Sequence, residues 1–182
     1  AFASTSAGGP ALATVVGEPG IGKTSLARAF ADVAEARGAR VLWGQCDLAP
    51  TVPLQPFVET LEELAAAVPD DFRRWAAGDP AALGRLSPAL AEHLPATREG
   101  AVPAGSPRVL EAVAHVFRAA TAERPLVLVL DDFDRAPPTT RRLAERCLQT
   151  AGHLLLIATA RTPRGEADRL LLIGESPGTT IE

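Results

Sequence analysis

The chain is poor in several residue types, and each shortage excludes a class of protein. Its 182 residues include two cysteines, three histidines, one lysine and neither methionine nor tyrosine. The cysteines, Cys46 and Cys147, are far apart and make neither a disulfide framework nor a metal cluster; they fit a reducing, cytoplasmic location. No apolar run is long enough to span a membrane. Residues 1–10 lack the features of a signal peptide and are expected to form a linker.

The net charge, the histidines, the hydrophobic content and the first residue each narrow the class of protein further. A net charge of −4 gives no general reason to expect nucleic-acid binding. The three histidines are scattered without metal-ligand spacing, so we expect structural or solvated roles for them. The 47% hydrophobic content suits one globular α/β domain. Because the chain starts without methionine and contains none, we expect it to be a piece of a longer protein.

The single lysine lies in a glycine-rich stretch that fits the phosphate-binding pattern G-x-x-x-x-G-K-[ST], the P-loop. Its glycines let backbone amides approach an anion closely, Lys23 can reach the β- and γ-phosphates, and the Thr24 hydroxyl can ligate Mg²⁺. The alternative is a glycine-rich turn that matches by chance. The predicted nucleotide-binding residues are Gly17, Glu18, Pro19, Gly20, Ile21, Gly22, Lys23, Thr24 and Ser25.

The context of this motif favours the functional interpretation. Residues 11–16 are a short apolar run, as in a buried parallel strand. After the motif, Leu26, Phe30 and Val33, with Ala27 and Ala34 beside them, recur at helical spacing until Gly38. Strand, loop and helix in this order are the expected surroundings of a P-loop.

A second informative stretch is the apolar run at residues 126–130, which ends in Asp131-Asp132. Five apolar residues in succession predict a central strand that is buried on both faces. Ligands of open α/β sheets bind at the carboxyl ends of the strands, where both aspartates fall. One acid there can hold the Mg²⁺ of a nucleotide, and a second can orient or deprotonate water. The alternative is a helix-capping or solvated acidic pair.

A similar apolar run at residues 154–160 ends in Arg161. An arginine at the carboxyl end of a strand beside the phosphates can stabilise or report γ-phosphate charge. The alternative is a surface arginine that starts a loop.

A short fifth strand is expected to begin near residue 179.

The positions of proline and the spacing of apolar residues predict the remaining secondary-structure elements. Residues 41–46 predict a second strand, and Pro56 begins a helix. Residues 72–75 and 83–94 are expected to form short helices that are interrupted by Pro80 and Pro88. Ser106 and Pro107 predict another helix start. A helix after Pro138 is expected to carry three arginines on a solvated face: Arg141, Arg142 and Arg146.

Four stretches in order resemble the P-loop ATPase domain of the STAND class, most closely that of large ATP-binding transcriptional regulators of the LuxR type and related antibiotic regulatory proteins. They are residues 17–24, residues 41–47 with the Pro-Leu-Gln-Pro-Phe sequence at 53–57, residues 126–132 and residues 154–161. The likeness covers about residues 11–161. Relatives often carry a Leu-His-Trp-like sequence after the paired aspartates, whereas this chain has Phe133-Asp134-Arg135.

The resemblance implies a three-layer α/β P-loop NTPase fold of the ASCE type over residues 11–182, with a mostly parallel sheet in the order 5-1-4-3-2. It implies that Lys23, Thr24 and Asp131 hold Mg²⁺-ATP, that Asp132 is the hydrolytic carboxylate, and that Arg161 is the sensor arginine. The lid and winged-helix parts of such proteins would lie outside this chain.

The function that the resemblance implies is a slowly hydrolysing ATP switch in a larger transcriptional regulator, with ATP or ADP and Mg²⁺ as ligands. Its partners would be other domains of the same chain and further copies in a nucleotide-dependent assembly, and DNA would be bound only through other domains.

Three alternatives remain open. A motor or loader ATPase of the AAA+ type needs a ring interface and an arginine finger, for which Arg141, Arg142 and Arg146 are candidates. A non-hydrolysing nucleotide-binding scaffold is the second. A small-molecule P-loop kinase is the third, although the paired aspartates argue against it because a kinase need not activate water.

Overall fold

The architecture is an α/β sandwich around one parallel sheet. The computed structural model describes residues 9–46, 54–96 and 103–161, and the backbone of residues 179–181. The described strands pair in parallel in the order β2-β3-β4-β1-β5, which reads β5-β1-β4-β3-β2 from the other edge. The predicted α/β class with a parallel sheet is therefore confirmed. The strands are β1 Ala11–Val16, β2 Arg40–Gln45, β3 Leu126–Asp131, β4 Leu154–Ala160 and β5 Thr179–Ile181.

Seven α-helices connect these strands within the described ranges. A 3₁₀ turn at Phe133–Arg135 follows β3. No helix in the described part of the chain combines the length and the hydropathy that a membrane span requires. The helices are α1 Lys23–Ala36, α2 Gln55–Ala67, α3 Pro69–Ala76, α4 Pro80–Gly84, α5 Pro88–Glu92, α6 Pro107–Glu123 and α7 Pro138–Thr150.

The strand side chains alternate between two cores, as the pleat of a strand requires. In β3, Leu126, Leu128 and Leu130 pack into a large core that α2 to α7 complete. Val127 and Val129 point to the opposite face, where α1 supplies the helical side of a smaller core. The three layers expected from the sequence are thus present, and β3 is a central strand that is buried along its whole length.

Two prolines that were expected to interrupt helices begin them instead. Pro80 and Pro88 are the first residues of α4 and α5. Each follows a side-chain cap: Asp79 accepts a hydrogen bond from the amide of Ala82, and Ser87 accepts one from the amide of Leu90. The prediction was wrong because a proline at the first helical position loses no hydrogen bond, since that N–H has no partner inside the helix.

The buried face of α1 is made of small residues. Ala27 and Ala34 pack against the sheet and Ala31 is also buried, whereas Leu26 and Val33 remain 50% and 49% exposed. The helical spacing of the apolar residues therefore located the helix, but the larger side chains do not form its most buried stripe.

Several predicted segments lie outside the described residues. These are most of the linker at 1–10, most of a loop that the prolines predict at 48–56, part of a loop that Pro, Gly, Thr and Ser predict at 95–105, and the charged, loop-like segment at 162–169. The predicted strands at 11–16, 41–46, 126–130 and 154–160 match β1 to β4 to within a residue.

Candidate phosphate and magnesium site

The loop between β1 and α1 has the backbone geometry of an anion-binding turn. Gly20 and Gly22 have φ values of 82° and 101°, in the left-handed region that glycine adopts without steric cost. α1 starts directly afterwards, with the amide of Leu26 donating to the carbonyl of Gly22 at 2.9 Å. No described side chain caps this helix, and its first turn carries no acidic residue. Its amides and the positive end of its dipole therefore remain available to an anion.

Lys23 is held against the loop by its own backbone. The side chain is only 9% exposed, and Nζ donates to the carbonyl oxygens of Gly17 and Glu18 at 2.9 and 3.0 Å. An ammonium group has three donors, so one N–H remains beyond these two bonds. The geometry places a positive charge at the rim of the loop, where phosphate oxygens would lie.

The other predicted loop residues lie at the surface. Glu18, Pro19, Gly20, Gly22 and Ser25 are exposed. Ile21, at the tip of the loop, is 71% exposed.

Thr24 meets Asp131 although 107 positions separate them in the sequence. The Thr24 hydroxyl oxygen lies 2.9 and 3.2 Å from the two carboxylate oxygens of Asp131. Asp131 is only 6% exposed, because it is the last residue of the central strand β3. The structure thus brings together the two residues that were predicted to ligate Mg²⁺.

Thr159 joins both aspartates, a role that the sequence did not indicate. Its hydroxyl donates to Asp131 and accepts a hydrogen bond from the amide of Asp132 at 2.9 Å. The register of β3 against β4 pairs Leu130 with Ala158, so Thr159 lies beside the end of β3. The available signal was a polar residue at the end of an otherwise apolar strand.

Asp132 turns out of the sheet with a left-handed backbone, φ 53°, and its carboxylate is partly exposed. Arg135 Nη1 lies 3.1 Å from Asp132 Oδ2, and Gln45 Nε2 lies 3.5 Å from the same oxygen. The Nε atom of Arg135 is buried and has no hydrogen-bond partner within the described part of the chain. Asp132 therefore lies beside Asp131 at the partly exposed edge of the site, and its carboxylate contacts the Arg135 guanidinium.

Gln45 reaches this site because α2 packs closely on the end of β2. A Cβ atom at Gly44 would collide with the backbone of Pro56, so only glycine permits the approach. Glu59 on α2 then accepts a hydrogen bond from the Gln45 amide at 3.2 Å. The signal for Gln45 was its polar side chain at a strand end that pairs in register with Asp131.

Arg161 follows β4, which lies between β1 and β3. Its Nε donates to Asp134 Oδ2 at 2.6 Å, and its amide lies 3.4 Å from Asp134 Oδ1. The hydrogen bond to Asp134, with the nearby charge of that carboxylate, raises the pKa of the Arg161 guanidinium. The position expected for a sensor arginine is thus occupied by an arginine that is anchored to the 3₁₀ turn after β3.

The prediction of a solvated arginine face on α7 is wrong for Arg141. Its side chain is partly buried, donates to the carbonyls of Ala136 and Asp134 at 2.9 and 2.8 Å, and lies over the Phe133 ring. The cause is the turn after β3, whose carbonyl groups need donors. Arg142 and Arg146 are exposed as expected, and Arg146 pairs with Glu111.

The two cysteines are buried hydrophobes, as predicted. Cys46 and Cys147 are free thiols in the large core. Burial raises the pKa of the Cys46 thiol to about 12 and raises that of Cys147 as well. Neither is a reactive thiolate at neutral pH.

The residues present fit a magnesium ion that is bound together with phosphate. Magnesium prefers oxygen ligands and retains several water or phosphate oxygens in its shell. Thr24 and Asp131 supply two adjacent oxygen groups beside the phosphate-binding loop. Among the described residues, no group of three or more His, Cys, Asp or Glu side chains could hold a metal by itself. A cation here would therefore depend on water and phosphate for its other ligands.

A known protein family matches most of this chain. The family model described as "AAA ATPase domain" matches residues 1–157. No curated protein matches the chain significantly. Two solved structures of the genome packaging NTPase B204 from Sulfolobus turreted icosahedral virus 2, with AMPPCP and with ATP-gammaS, are 12% and 13% identical to it.

Both structural likenesses are distant. The TM-scores are 0.41 and 0.38, over 84% and 83% of this chain. The chain spans 66% and 65% of the length of those two structures.

The family match extends from the first residue through the phosphate-binding loop, the paired aspartates and most of β4. The chain therefore belongs to the family of AAA ATPase domains.

Proposed function

We propose that this domain binds Mg²⁺-ATP, hydrolyses it slowly and acts as a nucleotide-controlled switch within a larger transcriptional regulator. The observation that carries the proposal is the contact between the Thr24 hydroxyl and the Asp131 carboxylate, next to the buried Lys23. Two distant parts of the sequence thereby converge on one site at the carboxyl end of the sheet, where ligands of open α/β sheets bind.

Each residue has a separate task in this proposal. The amides around Gly20 to Thr24 and the Lys23 ammonium would bind the β- and γ-phosphates. Thr24 and Asp131 would hold Mg²⁺, which when bound neutralises phosphate charge. Asp132 would accept a proton from water as the water oxygen bonds to the γ-phosphorus. The bond from that phosphorus to the β-phosphate bridging oxygen then breaks, and ADP and phosphate result.

The surroundings of Asp132 favour a low rate. Its carboxylate already contacts Arg135 and lies within weak hydrogen-bond distance of Gln45. These partners must give way before the carboxylate can align an attacking water. Slow turnover suits a switch, in which the bound nucleotide marks a state and its hydrolysis resets it.

The regulatory part of the proposal rests on the sequence resemblance. A motor or loader of the AAA+ type would need an arginine finger offered to a neighbouring subunit. Of the three candidates on α7, Arg141 and Arg146 are engaged within the chain. The large regulators that the four motifs resemble therefore remain the better comparison.

The first experiment tests the site by titrating fluorescent ATP and ADP analogues with Mg²⁺. Lys23→Met removes the charge but keeps most of the side-chain volume, so we expect roughly 10- to 100-fold weaker binding, the value of one charge-assisted hydrogen bond. Arg142→Gln, on exposed α7, removes an equal charge and should leave the affinity unchanged. Equal affinities of wild type and Lys23→Met would refute the proposed site.

The second experiment separates an enzyme from a scaffold. Phosphate release from ATP should fall to background in Asp132→Asn, while nucleotide affinity is kept within a few-fold. Equal rates in the wild type and this variant would favour a non-hydrolysing scaffold. For the switch itself, a longer protein that contains this domain should change its assembly state with a non-hydrolysable ATP analogue. An assembly that ignores the nucleotide would count against the switch.

A further inference from the structure

The turn after β3 carries two acidic residues, and each holds an arginine. Asp132 contacts Arg135, and Asp134 contacts Arg161. Only the second pair links two neighbouring strands, because Asp134 follows β3 and Arg161 follows β4. This pair therefore ties the paired aspartates to the arginine at the end of the adjacent strand.

The geometry points to Asp134 as the positioning residue for Arg161, which it holds ready for the γ-phosphate of bound ATP. This inference rests on the proposed function, because it assigns a role within the same site. Asp134 belongs to the Phe133-Asp134-Arg135 stretch, by which this chain departs from the Leu-His-Trp-like sequence of the proteins that it resembles.

The contacts restrain the arginine without covering it. Asp134 uses one carboxylate oxygen for Arg161 Nε at 2.6 Å, and its other oxygen lies 3.4 Å from the Arg161 amide. The Arg161 side chain is still 48% exposed, whereas that of Asp134 is 16% exposed. The bond at Nε leaves the two terminal nitrogens of the guanidinium with no partner among the described residues. Those nitrogens carry the parallel N–H groups that suit phosphate oxygens.

Asp134 is itself held in place, because Arg141 binds the turn that carries it. Arg141 donates to the Asp134 carbonyl at 2.8 Å and to the Ala136 carbonyl at 2.9 Å. Its guanidinium also lies 5.3 Å from the centre of the Phe133 ring. The 3₁₀ turn that presents Asp134 is thus tied to α7, so Asp134 lies on a restrained element.

Arg161 also lies near the reacting end of the site, because it follows β4, which pairs with β3 next to the paired aspartates. The Asp132 carboxylate contributes to the raised pKa of Arg161 through its charge, in addition to the direct bond from Asp134. Asp132 is the residue proposed to activate water. Charge that arrives beside Asp132 therefore also acts on the Arg161 guanidinium.

A restrained arginine gives up less conformational entropy when it meets a phosphate than a free arginine does. Asp134 should therefore strengthen binding of ATP more than binding of ADP, since only ATP carries the γ-phosphate. The ratio of the two affinities is the readout, because a change in general stability would weaken both ligands alike.

The test measures ATP and ADP affinities of the 182-residue protein with fluorescent analogues and Mg²⁺. Asp134→Asn should lower the preference for ATP over ADP by roughly threefold to tenfold, and Asp134→Glu should restore part of it. Glu111→Gln, which neutralises an acid that pairs with an arginine elsewhere, should leave the ratio unchanged.

A double-mutant cycle separates positioning from a structural role. In an Arg161→Ala background, Asp134→Asn should have no further effect on the ratio. An equal effect in both backgrounds would overturn the inference, as would an unchanged ratio in the single variant while Lys23→Met weakens binding as expected. If Lys23→Met binds as tightly as wild type, the proposed function fails and this inference fails with it.

Discussion

The two faces of the sheet carry cores of different size: a large core under α2 to α7, here called the deep face, and a small core under α1, here called the shallow face. On one face, α2 to α7 enclose a core with fully buried aromatic rings, including Phe57 and Phe117, whose ring centres lie 5.9 Å apart in an edge-on arrangement. On the other face, α1 contributes small side chains such as Ala27 and Ala34. The large core holds the domain together, whereas the small face positions one helix.

The contrast follows from what α1 has to do. Small residues let a helix lie close to its neighbour, because the distance between packed elements depends on the side chains between them. Close packing keeps Lys23 and Thr24, in the first turn of α1, next to Asp131 at the end of β3. A substitution on the deep face should therefore affect stability first, and one on the shallow face should affect the site as well.

The largest expected effect is on the deep face. Phe117→Ala should lower the free energy of unfolding by about 3–5 kcal/mol, because it leaves a cavity beside Phe57. Urea denaturation measures the loss. Leu26→Ala, on the half-exposed flank of α1, should change it by about 0.5 kcal/mol or less. Comparable losses in the two variants would remove the distinction between the faces.

Ala27→Leu should lower stability less than Phe117→Ala does but should affect the site more. The added side chain has no room between α1 and the sheet, so we expect a loss of about 1–3 kcal/mol. Because α1 must shift, nucleotide affinity should fall in the same variant. Ala29→Leu, on the exposed side of the same helix, is the matched control and should retain both. Unchanged nucleotide binding in folded Ala27→Leu would show that helix spacing does not control the site.

The smallest expected effect lies at the outer rim of the deep face, where Asp79 pairs with Arg108. The hydrogen bond from Arg108 lowers the pKa of the Asp79 carboxyl in the folded protein. Its stabilisation is therefore complete above the ordinary value of about 3.9 and is lost as the pH falls through the lower folded pKa. For this solvent-screened pair the gain should be below about 1 kcal/mol.

Asp79→Asn isolates this charge effect, because asparagine can still cap α4. Unfolding free energies of wild type and Asp79→Asn should differ slightly at pH 6, and the difference should shrink as the pH falls through the lowered pKa of Asp79. A difference that persists undiminished at the lower pH would assign the effect to the cap and not to the ion pair.

Much of the fold followed from local signals. The apolar runs at β1, β3 and β4 predicted buried strands, and the proline at 107 after Ser106 predicted the start of α6. The prolines at 80 and 88 were misjudged because the same residue begins a helix or breaks it according to its neighbours. Arg141 was misjudged because helical spacing does not show that a turn elsewhere presents carbonyl groups to it.

The sequence by itself determined the order of strands and helices, the glycine-rich loop and the acidic strand end, because these depend on residues that are neighbours along the chain. The resemblance predicted that Thr24 and Asp131 share one site, and the structure supplies their direct contact. Only the tertiary structure decided that Thr159 joins both aspartates and that Asp134 holds Arg161. Strand register and helix packing fix those contacts, and several side chains of suitable chemistry compete for each partner. Their pairing is a property of the folded arrangement.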